Sequence, residues 1–467
     1  MPVLRAATLP PRYRMPAPGS VMPCSALIEM LCRRSMGVAS RAHGGDTRPG
    51  LLPLWRVLVE AGRRQVKHTH TAALPRNEKE PDAVSEREKT RLVHASRGKI
   101  IGEVGTVNPP VVRCSTVLYK DLATRQAVRD RRAAGERCFS YGALGTPTTY
   151  ALEDAINEIE GGSRTMLFPT GLAAVAHPFL SLLLPGDHVL LAETVYGPAR
   201  AVAVNYLTKR NINCEFYAGG HEEVKKRLKP NTRMVYLDNP GSIIYDVQDL
   251  PALAALLKGR ETFLVVDNTW GSPGMYKPLA LGADVSIIAL TKYVGGHSDL
   301  VLGSVSGGPR TADRLWKDAN TLGQSVSPDD AYSALKGLRT AAARLAMHRQ
   351  HTAEVIAWLE RQPQVKRILY PAHPKDPGHA LWKRDFKGAN GLFSIELADR
   401  YKQADADRVV DALRLFGIGA SWGGYESLAL TYPIVHGWKG GALIRFHIGL
   451  EDPADMIEDL AKGLAVL

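Results

Sequence analysis

The sequence predicts an α/β fold with a mostly parallel central sheet and a smaller α/β domain at the C-terminus. Two observations carry this prediction. Between residues 143 and 338, short uninterrupted apolar runs alternate with stretches of helical periodicity. Such runs are typical of strands covered on both faces of a parallel sheet. After Leu338 a long helical pattern leads to a strand of alternating type at 390–396, which indicates a second domain, 339–467.

Each element of the larger domain is predicted from its own apolar pattern and the turn residues around it. The predicted strands are 165–168, 187–192, 214–217, 233–237, 263–266, 285–290 and 300–306. The predicted helices are 150–159, which ends at Gly161, and 199–208, 222–228 and 250–257. In the C-terminal domain, strands are predicted at 390–396 and 443–449.

The charge of the chain is concentrated at its N-terminus. Of the net +12, residues 1–76 account for +9, with 12 Lys/Arg against 3 Asp/Glu, and the rest of the chain for +3. Since no basic helix with interleaved aromatic residues occurs, we expect no nucleic-acid partner. No apolar run approaches 18 residues, so we also expect no membrane span.

Residues 1–88 are interpreted as an N-terminal extension with a charged linker, for which three explanations remain open. It is a segment translated from a start codon set too early, a disordered tail, or an Arg-rich transit peptide. Residues 89–142 follow as an arm. Its extended, Pro-containing stretches at 107–113 and 115–119 are suited to contact with a neighbouring subunit.

Two polar residues follow neighbouring strands of the predicted sheet. Asp267 comes directly after the strand at 263–266, and Lys292 follows the strand at 285–290. Taken singly, each is more often a turn residue or a solvated side chain. Ligands of parallel sheets, however, collect at the carboxyl ends of the strands. An amine and a carboxylate together at this edge are what pyridoxal 5'-phosphate requires, the lysine for the Schiff base and the acid for the pyridine nitrogen.

The string Asp284–Ser298, DVSIIALTKYVGGHS, resembles the cofactor-lysine signature of the Cys/Met-metabolism pyridoxal phosphate enzymes. The resemblance extends from about Thr90 to the C-terminus. It implies the aspartate-aminotransferase-like architecture (fold type I), with pyridoxal 5'-phosphate as cofactor. It also implies an active dimer, because the arm reaches the adjacent subunit, and a homotetramer in the cytoplasm.

The same resemblance assigns cofactor contacts outside the lysine string. Gly171 and Leu172 open a helix after a strand and offer backbone N–H groups to the phosphate. Tyr196 corresponds to the tyrosine that stacks on the cofactor ring, and Thr291 precedes the lysine. Tyr141 matches a phosphate contact made across subunits. The arginine that usually accompanies it is replaced by Ala143, which predicts weaker phosphate binding.

Substrate contacts are assigned in the C-terminal domain. Arg445 lies inside a predicted strand and is either part of an internal salt bridge or, by resemblance, the fork that binds the substrate carboxylate. Ser421 and Trp422 resemble residues lining that carboxylate pocket. Trp422 and Tyr425 stand where members that act on the γ carbon usually have Leu and Val.

The resemblance therefore implies a carbon–sulfur lyase that β-eliminates L-cystathionine to homocysteine, pyruvate and ammonia in methionine biosynthesis. Lys292 is expected to be the general base and acid, and Tyr196 to help deprotonate the incoming amine. Two alternatives remain open, a γ-acting relative and a weakly catalytic cofactor-binding regulator. The fourteen histidines include no HExxH, and we expect no metal.

Overall fold

The computed structural model describes residues 86–97, 100–101 and 104–467. The predicted extension, 1–88, therefore lies outside the described residues except for its last three positions. The described chain begins with helix α1 (Glu86–His94), a short antiparallel pair of strands, β1 (Ile100–Ile101) and β2 (Val104–Gly105), and helix α2 (Leu122–Ala133). Helix α2 was not predicted, and it buries none of its side chains in this chain.

A seven-stranded sheet forms the centre of the larger domain. Its strands, in chain order, are β3 (Arg164–Phe168), β4 (His188–Ala192), β5 (Asn213–Tyr217), β6 (Thr232–Asp238), β7 (Phe263–Asp267), β8 (Val285–Ile288) and β9 (Gly303–Gly307). Their spatial order is β3-β9-β8-β7-β6-β4-β5, and only β9 runs against the others. The predicted mostly parallel sheet is thus confirmed.

Helices cover the two faces of this sheet. In chain order they are α3 (Pro147–Glu160), α4 (Gly171–Leu182), α5 (Gly197–Val202), α6 (His221–Arg227), α7 (Leu250–Leu257), α8 (Ala312–Thr321) and α9 (Pro328–Leu359). Strands β4 and β8 are buried along their whole length, as expected for strands covered on both sides. Burial of each Val, Leu or Ile in such strands contributes about 1.5–3 kcal/mol.

Local capping explains where the helices of the site begin and end. Helix α3 starts at a capping box formed by Thr146 and Thr149 and ends at Gly161, whose φ of +72° favours glycine. Helix α9 is 32 residues long and starts at the N-cap Ser327. The predicted domain boundary between residues 338 and 339 falls inside α9, and the four predicted domain limits stay predictions.

The C-terminal domain contains a second sheet of five strands. After α9 the elements are β10 (Val365–Leu369), α10 (His379–Asp385), β11 (Leu392–Leu397), α11 (Gln403–Ala412), β12 (Gly417–Ile418), β13 (Leu428–Thr431), β14 (Leu443–His447) and α12 (Pro453–Leu464). The order is β10-β11-β14-β13-β12, with only the β12–β13 pair parallel. Strand β14 lies at the centre of this sheet.

Two features of other protein classes concern the described residues. Among them, no helix has the length and apolar character needed to cross a bilayer. Within the same ranges, no group of three or more His, Cys, Asp or Glu side chains is arranged to hold a metal ion.

Candidate active site

Lys292 lies four residues beyond the end of β8, in a turn that faces the C-terminal domain. Its Nζ donates to Ser421 Oγ over 2.7 Å. The same nitrogen lies 5.3 Å from the centre of the Trp422 ring. Two residues assigned to the substrate pocket therefore contact the amine assigned to the cofactor.

The environment of Lys292 makes its amine less basic than usual. Burial is the largest cause, the positive charge of Arg445 adds to it, and the Asp267 carboxylate opposes it, so that the pKa is lowered to about 8. With such a pKa, about one amine in ten is neutral at pH 7. A neutral amine is required for a Schiff base and for a general base.

Asp267 is buried at the carboxyl end of β7, on the strand next to β8. Its Oδ1 accepts from Thr269 N over 2.9 Å and from Thr269 Oγ1 over 2.5 Å. Thr269 Oγ1 in turn accepts from Ala289 N over 2.9 Å, which ties the ends of β7 and β8 together. Within the described residues Oδ2 has no hydrogen-bond donor, so this oxygen is available to a pyridine nitrogen.

Asp238 is a second buried carboxyl at the same edge, paired in register with Asp267. Its Oδ2 accepts from Tyr196 N over 2.8 Å. Burial and the nearby Asp267 raise the pKa of Asp238 well above its usual value. Burial also raises the pKa of Asp267, but the hydrogen bonds from Thr269 and the charge of Lys292 oppose that rise. Asp267 is therefore the carboxyl that stays ionised more readily.

Tyr196 occupies the N-cap position of α5, and its backbone N–H donates to Asp238. Its side chain is 46% exposed, as a ring-stacking role requires. Burial, Asp267 and Asp238 raise the pKa of the phenol, and Arg445 opposes the rise. The phenol is therefore protonated near neutral pH in this arrangement. Its predicted roles in stacking and in deprotonation stay predictions.

Gly171 and Leu172 form the first turn of α4, where backbone N–H groups have no intrahelical acceptor. Thr170 Oγ1 accepts from Ala173 N over 2.9 Å, and Thr170 O accepts from Ala174 N over 3.1 Å. In the part of the chain that the structure describes, the N–H groups of Gly171 and Leu172 have no acceptor, so they are available to an anion. A Cβ on Gly171 would lie 2.8 Å from the Ala289 Cβ, so a glycine lets the helix approach the cofactor-lysine turn.

Thr291 has its hydroxyl engaged with the backbone of a neighbouring loop. The hydroxyl donates to Leu302 O over 3.1 Å and accepts from Leu302 N over 2.9 Å. The proton of Thr291 is thus not directed at the phosphate site in this structure. The predicted cofactor contact of Thr291 stays a prediction.

Arg445 lies on β14 with its side chain buried. Its Nη2 donates to Gly419 O over 3.1 Å and to Ser421 O over 3.2 Å, and the guanidinium lies 5.2 Å from the centre of the Tyr432 ring. Within the described residues no carboxylate pairs with it, so the alternative of an internal salt bridge is not observed. A buried guanidinium without an acid favours an anionic ligand.

The glycines after Trp422 bring the C-terminal domain against Lys292. Gly423 has a φ of +85°, and a Cβ there would lie 2.8 Å from Tyr293 N and 2.9 Å from Lys292 C. A Cβ on Gly424 would clash with the side-chain oxygen of Ser298. A larger residue at position 423 or 424 would push Ser421 and Trp422 away from Lys292.

Tyr141 precedes a single 3-10 turn, Gly142–Leu144, and is 48% exposed. Its predicted role concerns the site of a neighbouring subunit and stays a prediction, as does the consequence of Ala143. The structure brings the other predicted residues to one region, where the carboxyl edge of the central sheet meets β14. By resemblance the sequence placed Asp238 in an acid-x-Pro turn beside the cofactor but gave it no role, and its register with Asp267 is seen only in the structure.

Comparison with known proteins gives four findings. Residues 89–465 match the family model described as Cys/Met metabolism PLP-dependent enzyme. A cystathionine beta-lyase of Bordetella avium is 45% identical, over 80% of this chain and 96% of the relative. The cystathionine beta-lyase MetC of Escherichia coli (strain K12) is 38% identical, over 80% of this chain and 98% of the relative. The crystal structure of metB from Corynebacterium glutamicum superposes with a TM-score of 0.74 at 29% identity, over 82% of this chain and 99% of that one.

Proposed function

Because the chain belongs to the Cys/Met metabolism PLP-dependent enzymes, we propose that it converts L-cystathionine to homocysteine, pyruvate and ammonia by β-elimination. It is a pyridoxal phosphate-dependent carbon–sulfur lyase. The observation that carries the proposal is the contact of Lys292 Nζ with Ser421 Oγ at 2.7 Å, which joins the cofactor amine to the carboxylate pocket containing Arg445.

The residues at the sheet edge fit pyridoxal phosphate. Two free backbone N–H groups of α4 suit its phosphate, and Asp267 Oδ2 suits its pyridine nitrogen. Lys292 supplies an amine of lowered pKa. When bound, the cofactor supplies an electron-accepting ring that stabilises negative charge at the substrate Cα.

The protein residues bind the substrate and transfer the protons. Arg445 binds the substrate carboxylate bidentately, which fixes the direction of the Cα–H bond. Lys292 Nζ removes the Cα proton, since its lowered pKa keeps part of the amine neutral. As the β carbon–sulfur bond breaks, the protonated Lys292 donates to the leaving sulfur. Trp422, beside Nζ, shields this amine from water.

The keto acid released from cystathionine tests this function. Purified protein with added pyridoxal phosphate is expected to release pyruvate, because Trp422 and Tyr425 stand at the positions that favour β-elimination. Chromatography of the derivatised keto acids separates pyruvate from 2-oxobutanoate, and protein without cofactor is the control. Release of 2-oxobutanoate would assign the chain to the γ-acting relatives. A bound cofactor without either product would favour the weakly catalytic regulator.

We propose further that the active unit is a dimer within a homotetramer. Leu118 and Leu122 of the arm are 91% and 81% exposed, and α2 buries no side chain in its own chain. Large apolar side chains exposed along one arm favour contact with a second copy. We also place the enzyme in the cytoplasm, a proposal supported by free thiols on Cys114, Cys138 and Cys214.

Ala143→Arg is expected to tighten pyridoxal phosphate binding if the arm completes the phosphate site of its neighbour. One added charge-assisted contact of about 1.5–3 kcal/mol corresponds to a dissociation constant lower by roughly 10–150-fold. Equilibrium dialysis measures this constant. Ala404→Arg adds the same charge at an exposed position of α11, outside the arm, and is expected to leave the constant unchanged. Equal tightening by both variants would point to charge alone and contradict the proposed contact.

A further inference from the structure

His447 ends strand β14, two residues after Arg445, and its side chain is completely buried. Residues two apart on a strand share a face, so Arg445 and His447 face the same side of the sheet. We propose that His447 is a positioning residue whose imidazole holds Gly423 and Gly424, and thereby keeps Ser421 and Trp422 against Lys292. This inference rests on the proposed function and adds to it a group that does not touch substrate or cofactor.

The two hydrogen-bond contacts of the His447 side chain are both with the backbone of one short segment. Gly423 N donates toward Nε2 over 3.1 Å, and Nε2 lies 3.0 Å from Gly424 O. A single nitrogen thus faces one donor and one acceptor. A neutral imidazole satisfies the donor in one tautomer and the acceptor in the other. Both glycines are buried, so their backbone N–H and C=O groups need hydrogen-bond partners inside the protein. For Gly423 N and Gly424 O, His447 is that partner.

The segment held in this way carries three contacts of the active site. Ser421 Oγ accepts from Lys292 Nζ over 2.7 Å, and Ser421 O accepts from Arg445 Nη2 over 3.2 Å. Trp422 lies beside the same amine at 5.3 Å. Displacement of the glycines would therefore move the hydroxyl, the indole and a carbonyl that orients Arg445 at once.

The surroundings of His447 keep it neutral, so its role does not depend on a charge. His348, Arg445 and Lys292 all face it, and burial together with these groups lowers its pKa to about 3. The Tyr293 ring lies 5.9 Å from the His447 ring and packs between Lys292 and the histidines.

His348 provides a matched comparison inside the same cluster. Its ring is 5.3 Å from that of His447 and it is equally buried. Its Nδ1, however, contacts Ile448 O over 2.8 Å and reaches no residue of the 421–424 segment. Replacement of His348 therefore tests how the cluster packs, because it leaves the hydrogen bonds between His447 and the two glycines in place.

The experiment compares His447→Phe, His447→Gln and His348→Phe in the holoenzyme. His447→Phe keeps a planar ring without hydrogen bonds, and kcat/KM is expected to fall about 10²-fold, the cost of a small misplacement of catalytic groups. In His447→Gln the amide both accepts and donates, so kcat/KM is expected to stay within about threefold of wild type. His348→Phe is expected to behave like His447→Gln. Thermal unfolding establishes that each variant is folded, and His447→Met replaces the Phe variant if that variant does not fold.

Two readouts separate positioning from general destabilisation. The pH midpoint of the cofactor's visible absorbance reports the surroundings of Lys292, and it is expected to shift in His447→Phe alone. The dissociation constant of pyridoxal phosphate is expected to stay unchanged in all three variants, because the segment does not contact the phosphate site. If the wild type lacked lyase activity, the proposed function would fail, but the absorbance midpoint would still test the position of the segment.

Two outcomes would overturn the inference. Equal losses in His447→Phe and His348→Phe would assign both histidines to packing. A loss in His447→Gln as large as that in His447→Phe would show that hydrogen bonding to the glycines is not what the imidazole contributes.

Discussion

Replacement of Lys292 by alanine is expected to lower kcat/KM by ~10⁴-fold or more, because one side chain serves as cofactor amine, base and acid. The surroundings of Lys292 explain why one residue can take all three roles. The amine is partly desolvated between Asp267 and Arg445, and its pKa is lowered to about 8. Pyruvate release from cystathionine measures the effect, with cofactor supplied in excess so that occupancy does not limit the rate.

The control for this variant is Lys225→Ala, an exposed lysine on α6. It removes the same side chain at an exposed position that contacts none of the site residues and is expected to keep full activity. Added methylamine is expected to restore a small part of the activity of Lys292→Ala, since the truncated side chain leaves room for an amine. Retention of a tenth of wild-type kcat/KM by Lys292→Ala without added amine would contradict the roles given to Lys292.

The larger domain was predictable because its strands, apart from the edge strand β5, are mostly buried. The apolar run at 263–266 and the one at 285–290 correspond to β7 and β8, and Asp267 and Lys292 follow them as expected. Such runs show where strands are but not which way they run. The reversal of β9 depends on the path of the chain between Lys292 and Gly303, on which local propensity has little influence.

The residues that sequence reasoning missed act through contacts distant in the chain. Asp238 was recognisable only as part of a turn, and its importance comes from its register with Asp267 on the neighbouring strand. His447 follows Arg445 by two positions, so the shared face was predictable. Its partners Gly423 and Gly424 come from a loop whose course no periodicity reports. Tertiary contacts of this kind cannot be deduced from spacing.

The arm shows a different limit of sequence reasoning. Its sequence contains a helix, α2, capped by Asp121, whose Oδ1 accepts from Thr124 N over 2.7 Å. The cap was present in the sequence, and α2 has an amphipathic pattern although it buries no side chain in its own chain. The Pro-containing stretches before the helix favoured an extended arm instead, so the helix was not predicted.

Arg445→Leu is the second variant with a large expected effect. Loss of two charge-assisted hydrogen bonds to the substrate carboxylate, about 3–6 kcal/mol, is expected to lower kcat/KM by ~10²–10⁴-fold. Arg445→Lys keeps the charge but not the planar fork, and a smaller loss, ~10–10²-fold, is expected. Steady-state kinetics with cystathionine measure both variants, after thermal unfolding has shown that each is folded.

A second measurement separates the charge of Arg445 from its hydrogen bonds. The positive charge lowers the pKa of Lys292, so Arg445→Leu is expected to raise that pKa, whereas Arg445→Lys leaves it near the wild-type value. Labelling of the cofactor-free protein with acetic anhydride over a pH series, with the Lys292 peptide quantified by mass spectrometry, gives the pKa directly. If both variants lost activity with the pKa of Lys292 unchanged, Arg445 would act on the substrate alone. A rise in the leucine variant would show that one arginine both binds the carboxylate and keeps the neighbouring amine neutral, which links substrate recognition to the readiness of the base.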